Sequence, residues 1–243
     1  MPLEWEAESL RVSLFSSVPT RLSDEDWETL TGQTEDYNRQ AVSGAGFVYT
    51  GKVKDNQLAL SGISTRVNIV QSSGVPAQPE SLPTMGPWEQ VRDRFVDFTS
   101  AWIEGKKFPV TRIAFGAVLL YPVATRVASY EGLRDLLSSV TVDPEVMREL
   151  TYRINWPTKS SVVAGLHANR ITSWSAVNIV QANLEFAPRP TATASLQGYA
   201  IRLEIDNSTD EMRSDPFDQS QVIAIYRELV SFASENAAKG ERP

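Results

Sequence analysis

The amino-acid sequence places this chain in the α+β class, as two similar β-α-β-β-β-α halves forming a curved, mainly antiparallel sheet with long helices on one face. Three observations carry that expectation. Short stretches of alternating apolar and polar residues, the period of a half-buried strand, recur between turn signals. Two longer stretches carry apolar residues at helical spacing: Val91, Phe95, Phe98 and Trp102, then Val222, Ile225, Tyr226, Leu229, Val230 and Ala233. The order of elements also restarts near residue 107, and Val67-Asn68-Ile69-Val70-Gln71 reappears as Val177-Asn178-Ile179-Val180-Gln181.

Residues 9–18 alternate, with Leu10, Val12 and Leu14 on one face, and Pro19 ends the strand. Ser23 then caps a short helix over 24–31. Asp24, Glu25 and Asp26 set acceptors and negative charge where its free N–H groups point, and Gly32 stops it. Strands are expected over 46–53, 57–63 and 66–71, the first two joined by an Asp55-Asn56 turn. The Ser-, Pro- and Gly-rich stretch 72–86 reads as a loop. Pro87 opens the first long helix, where a missing N–H costs little, and Gly105 ends it.

The second half opens with a strand over 110–121, apolar enough to lie centrally and be covered on both faces. Ser129 is expected to cap a short helix over 130–138. A strand over 150–156 ends at Pro157, with 160–166 its hairpin partner. Strands over 173–186 and 196–206 flank the Pro/Thr/Ala loop 187–195. The stretch 207–217 is polar and turn-rich, and Asp218 caps a last helix over 219–236.

A weaker echo accompanies the pentapeptide. Thr20-Arg21-Leu22 precedes the first short helix and Thr125-Arg126-Val127 the second. Two α+β repeats, 1–106 and 107–243, follow from this reading, joined edge to edge into one continuous sheet so that two exposed edges disappear. This element order, with an Arg66-to-Gln71 type strand before the long helix, resembles an uncharacterised, sporadically distributed bacterial family of similar length. It also resembles in outline the duplicated TATA-binding-protein-like and helix-grip architectures. The resemblance covers most of the chain and rests on element order. It implies a saddle or groove, carries no catalytic residue over, and by analogy suggests a part in a multi-protein system such as phage defence or toxin control.

Composition narrows the chemistry. The 243 residues include no cysteine and one histidine, which excludes thiolate nucleophiles, disulfides, Cys-ligated metals and sites built on several imidazoles. Net charge is −7, and the longest basic run is Lys106-Lys107, so nucleic acid is disfavoured as a partner. The first residues lack the basic start and apolar core of a signal peptide. The longest apolar stretch, 113–123, is too short to span a bilayer, so a cytoplasmic protein without a membrane partner is expected.

Motifs for group transfer are missing. Gly44-Ala45-Gly46 precedes a strand and lacks a following Gly-Lys-Ser/Thr, so it reads as a turn and not a phosphate loop. His167 could be a base in a cleft, yet no nucleophile motif accompanies it, and an exposed hairpin-turn histidine is the better reading. Asp206, Asp210, Glu211, Asp215 and Asp218 are dense enough to suggest oxygen ligands for Mg²⁺ or Ca²⁺, but they lack the spacing of a calcium loop, and no metal or cofactor is expected.

Arg153, Asn155 and Trp156, with His167 and Trp174, form the candidate binding set. Alternation puts Tyr152, Ile154 and Trp156 on one face and Arg153 and Asn155 on the other, a mixed surface suited to contact. The expected function is a non-catalytic protein-interaction or assembly module, bound to another chain or to itself. The alternatives are a small-molecule-binding helix-grip protein and a metal-dependent hydrolase drawing on Glu185, Glu204 and Asp206.

Overall fold

The computed structural model describes residues 3–42, 46–74, 82–185 and 191–242, with backbone alone for 181–185 and 191–197. The strands are β1 (Glu6–Ser16), β2 (Tyr37–Val42), β3 (Gly46–Val53), β4 (Asn56–Ile63), β5 (Arg66–Ser73), β6 (Val110–Val123), β7 (Thr151–Asn155), β8 (Thr158–Lys159), β9 (His167–Glu185) and β10 (Thr191–Thr209). The helices are α1 (Asp24–Thr31), α2 (Trp88–Glu104), α3 (Arg126–Leu136) and α4 (Gln219–Lys239). The fold is α+β, as expected.

Ten strands make one antiparallel sheet in the order β2-β3-β4-β5-β1-β6-β10-β9-β7, with β8 also on β9. The end strands β2 and β7 do not meet, so the sheet stays open. The apolar stretch 110–121 becomes β6, between β1 and β10.

Alternation gives the sheet two unlike faces. Leu10, Val12 and Leu14 of β1, Val67 and Ile69 of β5, Ile113, Phe115 and Leu119 of β6, and Ile201, Leu203 and Ile205 of β10 are all buried. They share one hydrophobic cluster with Trp27, Val91, Phe95, Leu133 and Tyr226 of the helices. Each fully buried side chain of this size contributes about 1.5–3 kcal/mol. The residues between them form a polar face, described below.

Helix caps follow the sequence in three of four cases. The Ser23 backbone N–H donates to Asp26 Oδ2 (2.7 Å), and Asp26 in turn pairs with Lys106 beyond α2. Gly32 takes φ 71°, the left-handed conformation of a helix stop. Asp218 N–H donates to Gln221 Oε1 at the start of α4. The exception is α3, which begins one turn earlier than expected. Thr125 caps it by accepting from Ala128 N–H (3.1 Å), and Ser129 is buried inside the helix, donating to the Arg126 carbonyl.

Other boundaries differ too. β2 was not expected, because its residues, Tyr-Asn-Arg-Gln-Ala-Val, lack an apolar alternation; it is the polar edge of the sheet. β8 is the pair Thr158–Lys159 in place of 160–166, and β9 starts at His167, six residues early. β10 runs from 191 to 209, through part of the expected loops on either side. The turn at Gly44-Ala45 and residues 75–81 and 186–190 of the two long loops lie outside the described residues.

The pentapeptide echo does not mark equivalent places. Its first copy lies on β5, beside β1, with Val67 and Ile69 on the apolar face. Its second lies on β9, separated from β6 by β10. There Val177 faces Ala200, on the opposite side of the sheet from Trp174 and Leu203. The Thr-Arg echo diverges as well: Thr125 is a helix cap, and the Thr20 hydroxyl donates to the Ser64 carbonyl.

Candidate functional site: the polar face of the sheet

Facing residues of an antiparallel ladder put their side chains on one side. Phe15 of β1 faces Arg66 of β5 and Arg112 of β6, so three strands bring an aromatic ring and two guanidinium groups into one row. The Cζ atoms of Arg66 and Arg112 lie 5.0 and 4.9 Å from the Phe15 ring centroid, within cation–π range.

The next row is Ser61, Asn68, Ser13, Ala114 and Ser208, across β4, β5, β1, β6 and β10. It is tied to the first by hydrogen bonds. Arg66 Nε donates to Asn68 Oδ1 (2.6 Å) and Arg66 Nη2 to Ser13 Oγ (3.2 Å). Ser13 Oγ donates to Asn68 Oδ1, and Asn68 Nδ2 to Ser61 Oγ. On the other flank Arg112 Nη2 donates to Ser208 Oγ (3.3 Å), and Glu211 stands 3.6 Å from Arg112 Nη1.

One row further, Arg11, Gly116 and Asp206 face one another across β1, β6 and β10. Arg11 Nη2 donates to Asp206 Oδ1 at 3.1 Å, passing over Gly116. A Cβ on Gly116 would stand 3.3 Å from Arg11 Nη2 and 3.4 Å from Arg11 Nε. Glycine at this position leaves the arginine its path. Beyond this row Arg202 pairs with both Glu8 (3.4 Å) and Glu204.

Charge on this face is therefore uneven. Around Phe15 three arginines share Asp206 at the centre and Glu211 at the rim, whereas Arg202 is outnumbered by Glu8 and Glu204. Burial pushes the Arg66 guanidinium below its ordinary pKa; Arg11 and Arg112 push the same way, and Asp206 opposes them. The Nε atoms of Arg11 and Arg112 are buried without an acceptor among the described residues. A half-buried cluster of like charges is costly: two cations about 8 Å apart repel by about 2 kcal/mol at an effective dielectric of about 20. An added anion lowers that cost.

The five candidate residues from the sequence fall in three places. Arg153 faces Ser173, which faces Glu204; Asn155 faces Ile171, which faces Asp206. Both are thus on the polar face, Asn155 two strands from Asp206, or about 10 Å. Asn155 is engaged structurally, donating to Asn169 Oδ1 and accepting from Arg170 N–H. Trp156, 37% exposed, sits just past the end of β7, and exposed His167 starts β9 opposite Lys159. Trp174 is fully buried on the apolar face, its ring 6.1 Å from that of Trp5 and its Nε1 donating to Thr172 Oγ1. It belongs to the core and has no exposed surface of its own.

Arg11, Arg66, Arg112 and Phe15 were missed. Their signal was present, since each occupies a polar-parity position of its strand, but no single strand reveals that three such strands adjoin. Arg202 faces Ser175 across the ladder, and the side chain of Glu185 lies outside the described residues. Among the described residues no group of three His, Asp or Glu side chains is placed to hold a metal. Asp206 is matched to Arg11, Asp210 accepts from Met212 N–H, and Asp218 caps α4.

Between sheet and helices, where a helix-grip protein holds its ligand, Phe115 contacts Trp88 and Tyr226 with ring centroids 6.4 and 6.1 Å apart. Aromatic side chains occupy that space. Clefts do open at the rim. One, of about 630 Å³, lies between the start of α2 and the end of α4, lined by Trp5, Trp88, Glu89 and Ala237. No helix among the described residues is long and apolar enough to cross a membrane. No protein-family model and no curated protein matches the chain.

Proposed function

We propose that this protein is a non-catalytic interaction module whose polar sheet face receives another protein chain within a bacterial multi-protein assembly. One observation carries the reading: the centre of that face sets Arg11, Arg66 and Arg112 around Phe15 with fewer carboxylates than guanidiniums. Arginine and aromatic residues on a flat surface are the side chains that dominate protein interfaces. Arg153 and Asn155 extend the same face toward β7.

The architecture supports the reading. The order β-α-β-β-β-β-α runs twice, and β1 and β6, which open the two runs, adjoin at the middle of the sheet. Outward from them come β5, β4, β3 and β2 on one side, and β10, β9, then β8 and β7 on the other. We read this as two similar halves joined edge to edge, with the long helices α2 and α4 on one face and the other left for a partner.

The test is native mass spectrometry of the protein purified under mild conditions from its own host, beside an Arg66→Glu/Arg112→Glu variant. The reading expects a second protein chain bound to the wild type and lost from the variant. A bound small molecule, a bare monomer, or a partner retained by both forms overturns it.

A further inference from the structure

We infer that the partner segment is acidic and that Asp206 stands in for one of its carboxylates in the free protein. This rests on the polar face being the interaction surface and names what that surface recognises.

The argument starts from the unequal use of the three guanidiniums. Arg11 is satisfied by a carboxylate of its own chain, Asp206, at 3.1 Å. Among the described residues Arg66 has only neutral acceptors, Asn68 Oδ1 and Ser13 Oγ. Arg112 has Ser208 Oγ, and its nearest carboxylate among the described residues, Glu211, is exposed and 3.6 Å away, too far for a hydrogen bond. Arginine reaches its strongest geometry with a carboxylate, where two N–H donors meet two oxygens. Arg66 and Arg112 flank Phe15 without such a partner among the described residues.

The Arg11–Asp206 pair shows what this surface does with a carboxylate when it has one. Its side chains are 38% and 48% exposed, so solvent and an incoming group can reach both. Gly116 beneath them presents no side chain to block the approach. A peptide carrying two or three Asp or Glu side chains could engage Arg66 and Arg112 on either flank of Phe15 and then compete with Asp206 for Arg11. Further along the strands Glu8 and Glu204, which outnumber Arg202, repel the same peptide. An acidic segment is therefore held at the Phe15 end.

This role has a distinctive consequence. Removing Arg66 and Arg112 weakens binding, whereas removing the charge of Asp206 strengthens it by freeing Arg11. Half-exposed ion pairs are weak, so the gain is modest, about two- to fivefold.

The experiment is fluorescence anisotropy with labelled hexaglutamate at low ionic strength, on wild type, Asp206→Asn and Arg66→Gln/Arg112→Gln, with circular dichroism to show that each is folded. The expected result is two- to fivefold tighter binding by Asp206→Asn and at least about tenfold weaker binding by the double variant, both differences shrinking as salt is raised. Equal or weaker binding by Asp206→Asn, with hexaglutamate still held by wild type, removes the stand-in role and leaves the interaction surface intact. Failure of hexaglutamate to bind any form, while Arg66→Glu/Arg112→Glu still sheds the native partner, overturns the acidic segment alone. Tighter binding of oligothymidylate than of hexaglutamate at equal salt overturns it in favour of a phosphate backbone.

Discussion

Arg11 of the first strand and Asp206 of the last meet at 3.1 Å, 195 residues apart in sequence, across a central strand that carries glycine where they cross. The pair joins the first and last strands on the polar face. Both side chains keep a large part of their surface in water, so Coulomb attraction is screened. Asp206→Ala is expected to change unfolding free energy by less than about 1 kcal/mol in urea denaturation. A loss of several kcal/mol would make the pair a structural clamp.

Arg170 is the contrasting case, its side chain only 5% exposed. Its Nη2 donates to Asn236 Oδ1 (2.7 Å) and the Phe232 carbonyl (3.1 Å), and Glu235 lies 3.2 Å away. Burial pushes its pKa down and Glu235 opposes that. Arg170→Leu strands Asn236 within α4 and should cost about 3–5 kcal/mol by urea denaturation. Arg170→Met with Asn236→Leu should recover part of it, since removing both partners leaves no buried polar atom unmet. A single-variant loss under about 1 kcal/mol would contradict this.

The Tyr226 hydroxyl and Thr99 Oγ1 lie 2.8 Å apart in the core, and Thr99 Oγ1 donates onward to the Phe95 carbonyl (2.6 Å). The tyrosine is therefore the donor of the pair. Burial pushes its pKa up strongly. Tyr226→Phe leaves Thr99 with its carbonyl acceptor and should cost about 1 kcal/mol. Thr99→Val leaves a buried hydroxyl without a partner and should cost about 1–3 kcal/mol. Thermal or chemical denaturation of both variants tests the order; the reverse order would refute the direction of the bond.

Glu241 gives the fold a pH dependence. It is 2% exposed and accepts from Ser138 Oγ (2.6 Å) and Ser139 N–H (2.7 Å), fastening the end of the chain below α3. Burial alone would raise its pKa. The hydrogen bonds from Ser138 and Ser139, with Arg242, outweigh it and hold the carboxyl below the usual range. The stabilisation is thus complete above the unfolded value of about 4.3 and is lost as pH falls through the lower folded value. Stability curves of wild type and Glu241→Gln should lie apart at neutral pH and converge below about pH 4. A constant separation down to pH 3 would contradict it.

Much of this fold can be read from local pattern. Leu10, Val12 and Leu14 announce a strand with one apolar face, and the stripe from Val222 to Ala233 announces α4, because each period depends only on neighbouring residues. β2 escapes because an edge strand exposed to water needs no apolar alternation. The start of α3 shifts because Thr125 and Ser129 are both competent caps, and only tertiary packing buries Ser129. The site was the least visible part. Arg11, Arg66 and Arg112 are ordinary polar-parity residues until β5, β1 and β6 are placed side by side, and register is a property of the whole sheet. Trp174 misleads for the same reason. Flanked by Ser173 and Ser175 it looks like a surface tryptophan, but parity turns it toward Trp5, 169 residues earlier.

The most direct test of the interaction surface is arginine footprinting with phenylglyoxal, read by peptide mass spectrometry. Protein isolated in complex from its own host is compared with the same protein stripped of its partner. Covering of the polar face predicts that Arg66 and Arg112 are labelled less in the complex, while exposed Arg134 on α3 is labelled equally in both. Equal labelling of Arg66 and Arg112 in the two states would contradict it and move the interface elsewhere on the molecule.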